Sequence, residues 1–146
     1  MHVSTNAGGS LEFSESFEAF RHFQVLQNEL GTPRVTVCPQ DKDRMPSLNF
    51  SNFNNLNVSY FVGIDANEAN ANMLLSGDRH VTNGFAPKNG VLNLTTNQNV
   101  RWSKELHDHA NNIGLADGSV QQVTSKRLRS VILPATGFAT NRILLP

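Results

Sequence analysis

The chain has 146 residues, which is enough for one domain with a single hydrophobic core. Its 12 basic and 12 acidic residues cancel, and neither charge forms a long run, so the composition argues against binding to nucleic acid. No apolar run approaches the roughly 20 residues of a membrane-spanning helix, and residues 1–10 contain neither the basic nor the apolar region of a signal peptide. We therefore expect a chain that does not span a membrane and is cytoplasmic as expressed.

A helix is predicted over residues 15–30, after a flexible polar lead-in that covers residues 1–14. Ser14 or Ser16 can cap the helix, and Gly31 is a typical stop signal. The apolar residues of this segment recur mostly every three positions and cover a wide arc, which favours packing against a sheet. They are Phe17, Phe20, Phe23, Leu26 and Leu30.

Beyond this helix the pattern changes to the alternation of a strand, because Val35 and Val37 alternate with polar residues until Pro39. Residues 39–57 are rich in asparagine and serine, a composition that favours turns. Cys38 is the only cysteine, which excludes a disulfide bond within the chain. We interpret its side chain as a small apolar filler rather than a nucleophile.

Further strands are predicted where apolar residues share one parity or form short runs bounded by turn residues. They cover residues 58–64, 73–76 and 91–94, with a weaker candidate at residues 99–102. A short helix is predicted to begin at Thr124 or Ser125 and to end at Pro134, and the tail beyond it is expected to be extended. These elements predict an α+β fold, in which the N-terminal helix packs on a small, mostly antiparallel sheet.

The clearest local signal is the pair Asp117-Gly118, which lies between two apolar segments. This pair is suited to the positive φ angles of a type I′ turn. It predicts a tight β-hairpin near the C-terminus over residues 112–123, in which Leu115 faces Val120.

Two histidines form the strongest candidate for a metal site. If their segment is extended, His107 and His109 point to the same side, and two such imidazoles are a common half-site for zinc or copper. The third ligand stays open among several residues, of which we favour the first two: His80, Asp117, Asp108, Asp78 and His22. In the alternative interpretation, His107 orders the connection into the hairpin through a backbone hydrogen bond, His109 is a solvated loop residue, and no cofactor is expected.

The remaining polar and aromatic residues point to structural roles. The sequence contains no GxSxG elbow, no phosphate-binding glycine loop, no HExxH and no CxxC pair, so standard nucleophile-based mechanisms are unsupported. Asp78 and Arg79 follow a predicted strand and are interpreted as an ion pair or turn cap. Trp102 and the phenylalanines between residues 13 and 61 lack interleaved basic residues and are assigned to the core.

The segment from His107 to Val120 resembles the H-x9-DG signature of a large pseudopilin-like family, since nine residues separate His107 from Asp117-Gly118. Further segments extend the resemblance over nearly all of residues 17–146: Asn28–Pro33, Val37–Pro39, Ser59–Gly63, Leu74–Arg79 and Thr136–Arg142. Proteins of that family look like subunits of type II secretion systems or type IV pili, in which a hydrophobic N-terminal helix anchors and polymerises a helix-plus-sheet head. The resemblance implies that residues 15–146 form one such head, without the anchor, and that the family acts in the periplasm or cell envelope.

Two functions follow from these patterns. The first is structural: a pseudopilin-like head that serves display or assembly by self-association or by contact with other pilin-like subunits. The second is a metal-dependent hydrolase acting on phosphoesters. In that case Zn²⁺ or another divalent ion on His107, His109 and a third ligand would lower the pKa of a bound water.

Overall fold

A six-stranded antiparallel sheet forms the centre of the fold in the computed structural model, which describes residues 3–146. Its strands are β1 (Tyr60–Gly63), β2 (Leu74–Asp78), β4 (Val91–Thr95), β6 (Asn111–Leu115), β7 (Val120–Val123) and β8 (Thr140–Leu144). Their spatial order is β4-β8-β1-β2-β6-β7, and each neighbouring pair is antiparallel. A separate pair joins β3 (Val81–Thr82) to β5 (Arg101–Trp102). The predicted α+β class with a mostly antiparallel sheet is confirmed.

The C-terminal tail is extended, as predicted, and β8 lies inside the sheet between β4 and β1. Ile143 and Leu144 are fully buried there. Ile143 belongs to the main core, together with Trp102, whose indole Nε1–H donates to the carbonyl oxygen of Val123 at 2.8 Å. Burying these side chains on both faces explains why the last strand of the chain occupies an interior position.

The predicted helix over residues 15–30 is wrong as a single element. Two short helices, α1 (Phe20–Gln24) and α2 (Gln27–Leu30), replace it and are separated at Leu26, whose backbone is not helical. The Ser14 and Ser16 hydroxyls donate back to carbonyl groups three residues earlier instead of capping a long helix. Packing of a long N-terminal helix on the sheet is therefore not supported.

Only part of the predicted apolar stripe reaches the sheet. Ala19 and Phe23 pack with Val62, Ile64 and Leu144 in a second, smaller core. Before α1 the chain forms two 3-10 helices, Thr5–Ala7 and Leu11–Phe13, while Met1 and His2 of the predicted lead-in lie outside the described residues.

The predicted strand around Val35 is also wrong, because a 3-10 helix occupies Pro33–Thr36. The Thr32 hydroxyl accepts a hydrogen bond from the backbone N–H of Arg34, and Pro33 presets the φ angle of the first turn.

The loop predicted over residues 39–57 is confirmed. It contains two further 3-10 helices, Phe50–Asn52 and Asn55–Asn57, each capped by an asparagine side chain.

The predicted hairpin is present, but its turn differs in type and register. Gly114, not Leu115, pairs with Val120. The N–H of Gly118 donates to the carbonyl oxygen of Leu115 at 3.0 Å. The N–H of Leu115 donates to the carbonyl oxygen of Ser119 at 2.9 Å. Of the described loop residues, only Gly118 has a positive φ, 84°. The loop therefore has three residues and ends in a bulged glycine, whereas a type I′ turn requires two positive φ angles.

Replacing Gly118 with valine should lower the free energy of unfolding by about 1–3 kcal/mol, because a β-branched residue is strained at positive φ. The site is open, since no atom lies within 4 Å of an added Cβ, so a steric clash does not contribute. Urea denaturation measures the effect. Gly118→Asn is the matched control and should cost clearly less, since asparagine tolerates this conformation. Equal losses in the two variants would contradict the backbone explanation.

The predicted C-terminal helix is confirmed at its start, where the Thr124 hydroxyl accepts the N–H of Arg127. It runs as α3 (Ser125–Arg127), a π-helical turn (Leu128–Ile132) and α4 (Leu133–Ala135). Pro134 thus lies in the final turn rather than after it. As predicted, no helix among residues 3–146 is long and apolar enough to cross a membrane.

Candidate functional site

The segment that carries the two candidate histidines is a tight turn rather than an extended strand. His107 and Ala110 exchange two backbone hydrogen bonds of 3.0 and 3.1 Å, and the intervening Asp108 and His109 have φ angles of 49° and 63°. Two positive φ angles define a type I′ turn, so the turn type predicted for Asp117-Gly118 occurs here instead. The side chains of His107 and His109 therefore do not have the same-side arrangement of an extended segment.

The two histidines have different surroundings. The His109 side chain is 89% exposed and its Nδ1 lies 3.4 Å from Glu105 Oε2. His107 is half-buried and faces Asp78. Among the described residues, the clusters of side chains that could hold a metal include His107 but not His109. The structure therefore does not bring His107 and His109 together as ligands of one metal site.

The favoured third ligands also lie elsewhere. Asp117 is exposed in the hairpin loop, where its carboxylate accepts the Ser119 N–H at 2.8 Å. Hydrogen bonding with the Ser119 side chain, and then with this backbone N–H, lowers the pKa of Asp117. His80 is buried beside Asp41 and Asp43. Of the other candidates, Asp108 lies in the turn next to His107, and His22 Nδ1 contacts the Ser10 hydroxyl at 2.8 Å.

The residue that does meet His107 is Asp78, and Cys38 joins them. His107 Nε2 lies 3.5 Å from Asp78 Oδ2 and 3.5 Å from Cys38 Sγ. One ligand atom from each of the three residues falls within 4.8 Å of the others. Cys38 and Asp78 are buried, so this cluster is largely shielded from solvent. Cys38 is thus a polar contact rather than the apolar filler that its sequence context indicates.

Asp78 is placed here by the sheet. It ends β2, next to β6, and its Oδ2 accepts the backbone N–H of Asn112 at 2.6 Å. Burial raises the pKa of Asp78, since a low dielectric disfavours the charged carboxylate, while the Asn112 hydrogen bond and His107 act in the opposite direction. The second oxygen, Oδ1, is buried without a hydrogen-bond partner among the described residues.

A second cluster of Asp41, Asp43 and His80 lies near the same strand end. Arg79 donates two hydrogen bonds to Asp41, of 2.7 and 2.9 Å. Burial opposes the charge of Asp41, but the Arg79 guanidinium outweighs it and holds the pKa of Asp41 at about 2. Arg79 thus forms an ion pair, as interpreted from the sequence, but its partner is Asp41, whereas Asp78 faces His107.

His80 lies in this cluster in surroundings that disfavour its charged form. Burial and the neighbouring Arg79 lower the pKa of His80. Its Nε2 lies 3.8 Å from Asp41 and 4.0 Å from Asp43, and both ring nitrogens lack a hydrogen-bond partner among the described residues. Arg79 and Lys104 already neutralise the two carboxylates, with Lys104 Nζ 3.1 Å from Asp43.

Sequence reasoning missed Cys38 and Asp41 and included Asp78 only among several options. Spacing carries no signal here, because residues 38, 78 and 107 come from three distant segments that the sheet brings together. One signal was available, since Cys38, Asp78 and His107 each lie in a segment that carries the resemblance to the pseudopilin-like family.

Comparison of the chain with models of protein families, with curated proteins and with solved structures found no match.

Proposed function

We propose that this chain is the head domain of a pseudopilin-like protein of the cell envelope, with a structural role in assembly and no catalysis of its own. The observation that carries this proposal is the position of the H-x9-DG segment, whose residues form the turn before β6, the strand β6 itself and the hairpin loop after it. We infer the assembly role from the resemblance to that family.

Residues at both ends of the H-x9-DG segment form hydrogen bonds that stabilise the sheet. At its start, the backbone carbonyl of His107 accepts a hydrogen bond from Gln122 Nε2 at 2.9 Å, which ties the turn to β7. Next to it, the buried Asn111 side chain accepts the N–H of Leu106 and donates to the carbonyl of Lys104. At its end, Gly118 closes the hairpin loop. The segment therefore fixes β6 and holds it against the edge strand β7.

An apolar groove supplies a surface for assembly. It has a volume of about 570 Å³ and lies between the N-terminal residues, helix α1 with the link that follows it, and strands β1 and β2. Leu26 and Leu75 line it and remain 46% and 45% exposed. Apolar side chains that stay half-exposed around a groove favour association with another apolar surface.

A second copy of the chain is the occupant that we infer for this groove. The formal net charge is zero, so two copies approach without overall electrostatic repulsion. Self-association also matches the assembly role that the resemblance implies. Helix α1 lines part of the groove, and in a pseudopilin-like head this N-terminal region would meet the anchor helix.

Sedimentation velocity over a range of concentrations tests this proposal. The wild-type chain should form dimers or larger species, and Leu26→Ser and Leu75→Ser should each weaken the association at least tenfold. Leu56→Ser is the matched control, since Leu56 is 64% exposed outside the groove, and it should leave association unchanged. A wild-type chain that stays monomeric at high concentration would contradict the proposal.

A metal-dependent hydrolase is the second candidate, favoured by the cluster of Cys38, Asp78 and His107. In that case a metal-bound water would be the nucleophile, and hydrolysis of p-nitrophenyl phosphate by the Zn²⁺-treated protein should depend on His107. The absence of zinc-dependent turnover would remove this candidate and leave the assembly role untouched.

A further inference from the structure

We propose that Cys38, Asp78 and His107 bind a zinc ion that links three distant segments of the chain. The site differs from the histidine pair that the sequence indicates, because His109 is replaced by a cysteine and a carboxylate from other parts of the fold. The proposal is independent of the assembly role, since a metal that holds segments together fits a structural domain as well as an enzyme.

The distances between the three side chains are those of neighbouring ligands in a tetrahedral zinc site. Zn–S bonds are about 2.3 Å and Zn–N and Zn–O bonds about 2.0–2.2 Å, so two ligand atoms of a tetrahedron lie about 3.3–3.6 Å apart. His107 Nε2 is 3.5 Å from both Cys38 Sγ and Asp78 Oδ2. The third pair of ligand atoms lies within 4.8 Å and needs only a small movement to close around an ion.

The contacts converge on one atom of the imidazole ring. In a catalytic Cys-His-Asp relay, the cysteine and the carboxylate contact opposite ring nitrogens. Here both approach Nε2, which has a single lone pair or a single proton to share. The relay is therefore not formed, whereas three ligand atoms within 4.8 Å of one another are close enough to share one bound cation.

Burial of the carboxylate gives a second, independent indication of a cation site. Asp78 is fully buried, its Oδ1 has no hydrogen-bond partner among residues 3–146, and its Oδ2 accepts only one backbone N–H besides facing His107. A buried carboxylate without a compensating charge or hydrogen bonds strongly destabilises the folded state. A divalent ion would supply the compensating charge.

The donor set indicates which ion fits. A thiolate, an imidazole and a carboxylate together form a mixed sulfur, nitrogen and oxygen set that suits Zn²⁺ and excludes the hard cations Ca²⁺ and Mg²⁺. Zinc sites with three protein ligands keep a fourth position for water. The His107 side chain is 22% exposed, and Cys38 borders a surface groove of about 520 Å³, so the cluster can be reached from solvent.

The neighbouring cluster of Asp41, Asp43 and His80 does not compete for the ion. Arg79 and Lys104 form ion pairs with its two carboxylates, so cationic side chains already occupy the place of a metal. Metal binding to this cluster would break those ion pairs. His80, which the sequence analysis favours as a ligand, is therefore excluded from the zinc site.

The test uses Co²⁺ as a spectroscopic substitute for Zn²⁺. Chelator-treated protein in reducing buffer is titrated with Co²⁺ and followed by absorption. We expect one equivalent of Co²⁺ to bind, with a thiolate-to-cobalt charge-transfer band and the strong visible bands of tetrahedral cobalt, and one equivalent of Zn²⁺ to remove both. The absence of a thiolate band in the wild-type protein would overturn the proposal without reference to any variant.

Variants assign the ligands. Cys38→Ser should abolish the charge-transfer band, and Asp78→Asn and His107→Gln should each weaken Co²⁺ binding at least tenfold, because each change removes one ligand. His109→Ala and His80→Ala are matched controls and should bind Co²⁺ as the wild type does. Loss of binding in His109→Ala, or a thiolate band that persists in Cys38→Ser, would overturn the assignment.

Discussion

Replacing Gly63 with alanine should destabilise the domain by about 3 kcal/mol or more, the largest effect that we expect from adding one methyl group. Gly63 lies in β1, at the centre of the sheet, where it pairs with Ile143 of β8. A Cβ atom at this position would lie 1.7 Å from the carbonyl oxygen of Leu74 and 2.7 Å from its carbonyl carbon. The clash is with backbone atoms, so strands β1 and β2 must separate to relieve it.

Gly114→Ala is the matched control, because Gly114 lies in β6 of the same sheet and its added Cβ would be 3.7 Å from the Ser76 carbonyl oxygen. That is an ordinary contact, and we expect a change within about 0.5 kcal/mol. Urea denaturation of both variants gives the comparison. Similar stabilities of the two variants would show that the β1–β2 spacing differs from the one described.

Removing Arg79 should produce the second large effect. Arg79→Met leaves the buried Asp41 carboxylate without its two charged hydrogen bonds, and at neutral pH we expect a loss of about 3–5 kcal/mol. Lys104→Met is the control, since Lys104 pairs with the exposed Asp43, and it should cost less than about 1 kcal/mol. Chemical denaturation at pH 7 measures both.

The pH dependence of the Arg79→Met effect tests its electrostatic origin. The pKa of Asp41 is about 2 in the folded state, below the ordinary value of 3.8. The stability from the ionised Asp41 is therefore fully present above about pH 4 and is lost as the pH falls through about 2. The difference between wild type and Arg79→Met should shrink over this range. A difference that is independent of pH would mean that lost packing, not the ion pair, causes the destabilisation.

The sequence predicted those elements whose signals are local and periodic. Apolar residues of one parity identified β1, the Asp117-Gly118 pair identified the hairpin of β6 and β7, and the Thr124 cap identified the C-terminal helix. The prediction of a helix over residues 15–30 was wrong because the apolar residues of this segment lie in different surroundings. Phe23 packs on the sheet, whereas Phe17 remains exposed. Tertiary contacts thus override the local helical pattern.

Turn types and the candidate site depend on contacts that spacing does not reveal. Asp-Gly favours positive φ, yet the type I′ turn forms at Asp108-His109, where the exchange of backbone hydrogen bonds between His107 and Ala110 fixes the chain. This turn separates the two histidines that an extended strand would bring together. Likewise, Cys38 meets His107 only because the fold places three distant segments at one end of β2.

Self-association through the apolar groove is the central claim, and hydrogen–deuterium exchange at low and high protein concentration tests it most directly. At high concentration, backbone amides around Leu26 and Leu75 should exchange more slowly, because the second copy covers the groove that they line. Amides around Leu56, outside the groove, should exchange at the same rate at both concentrations. Concentration-dependent protection confined to other surfaces, or none anywhere in the chain, would contradict the claim.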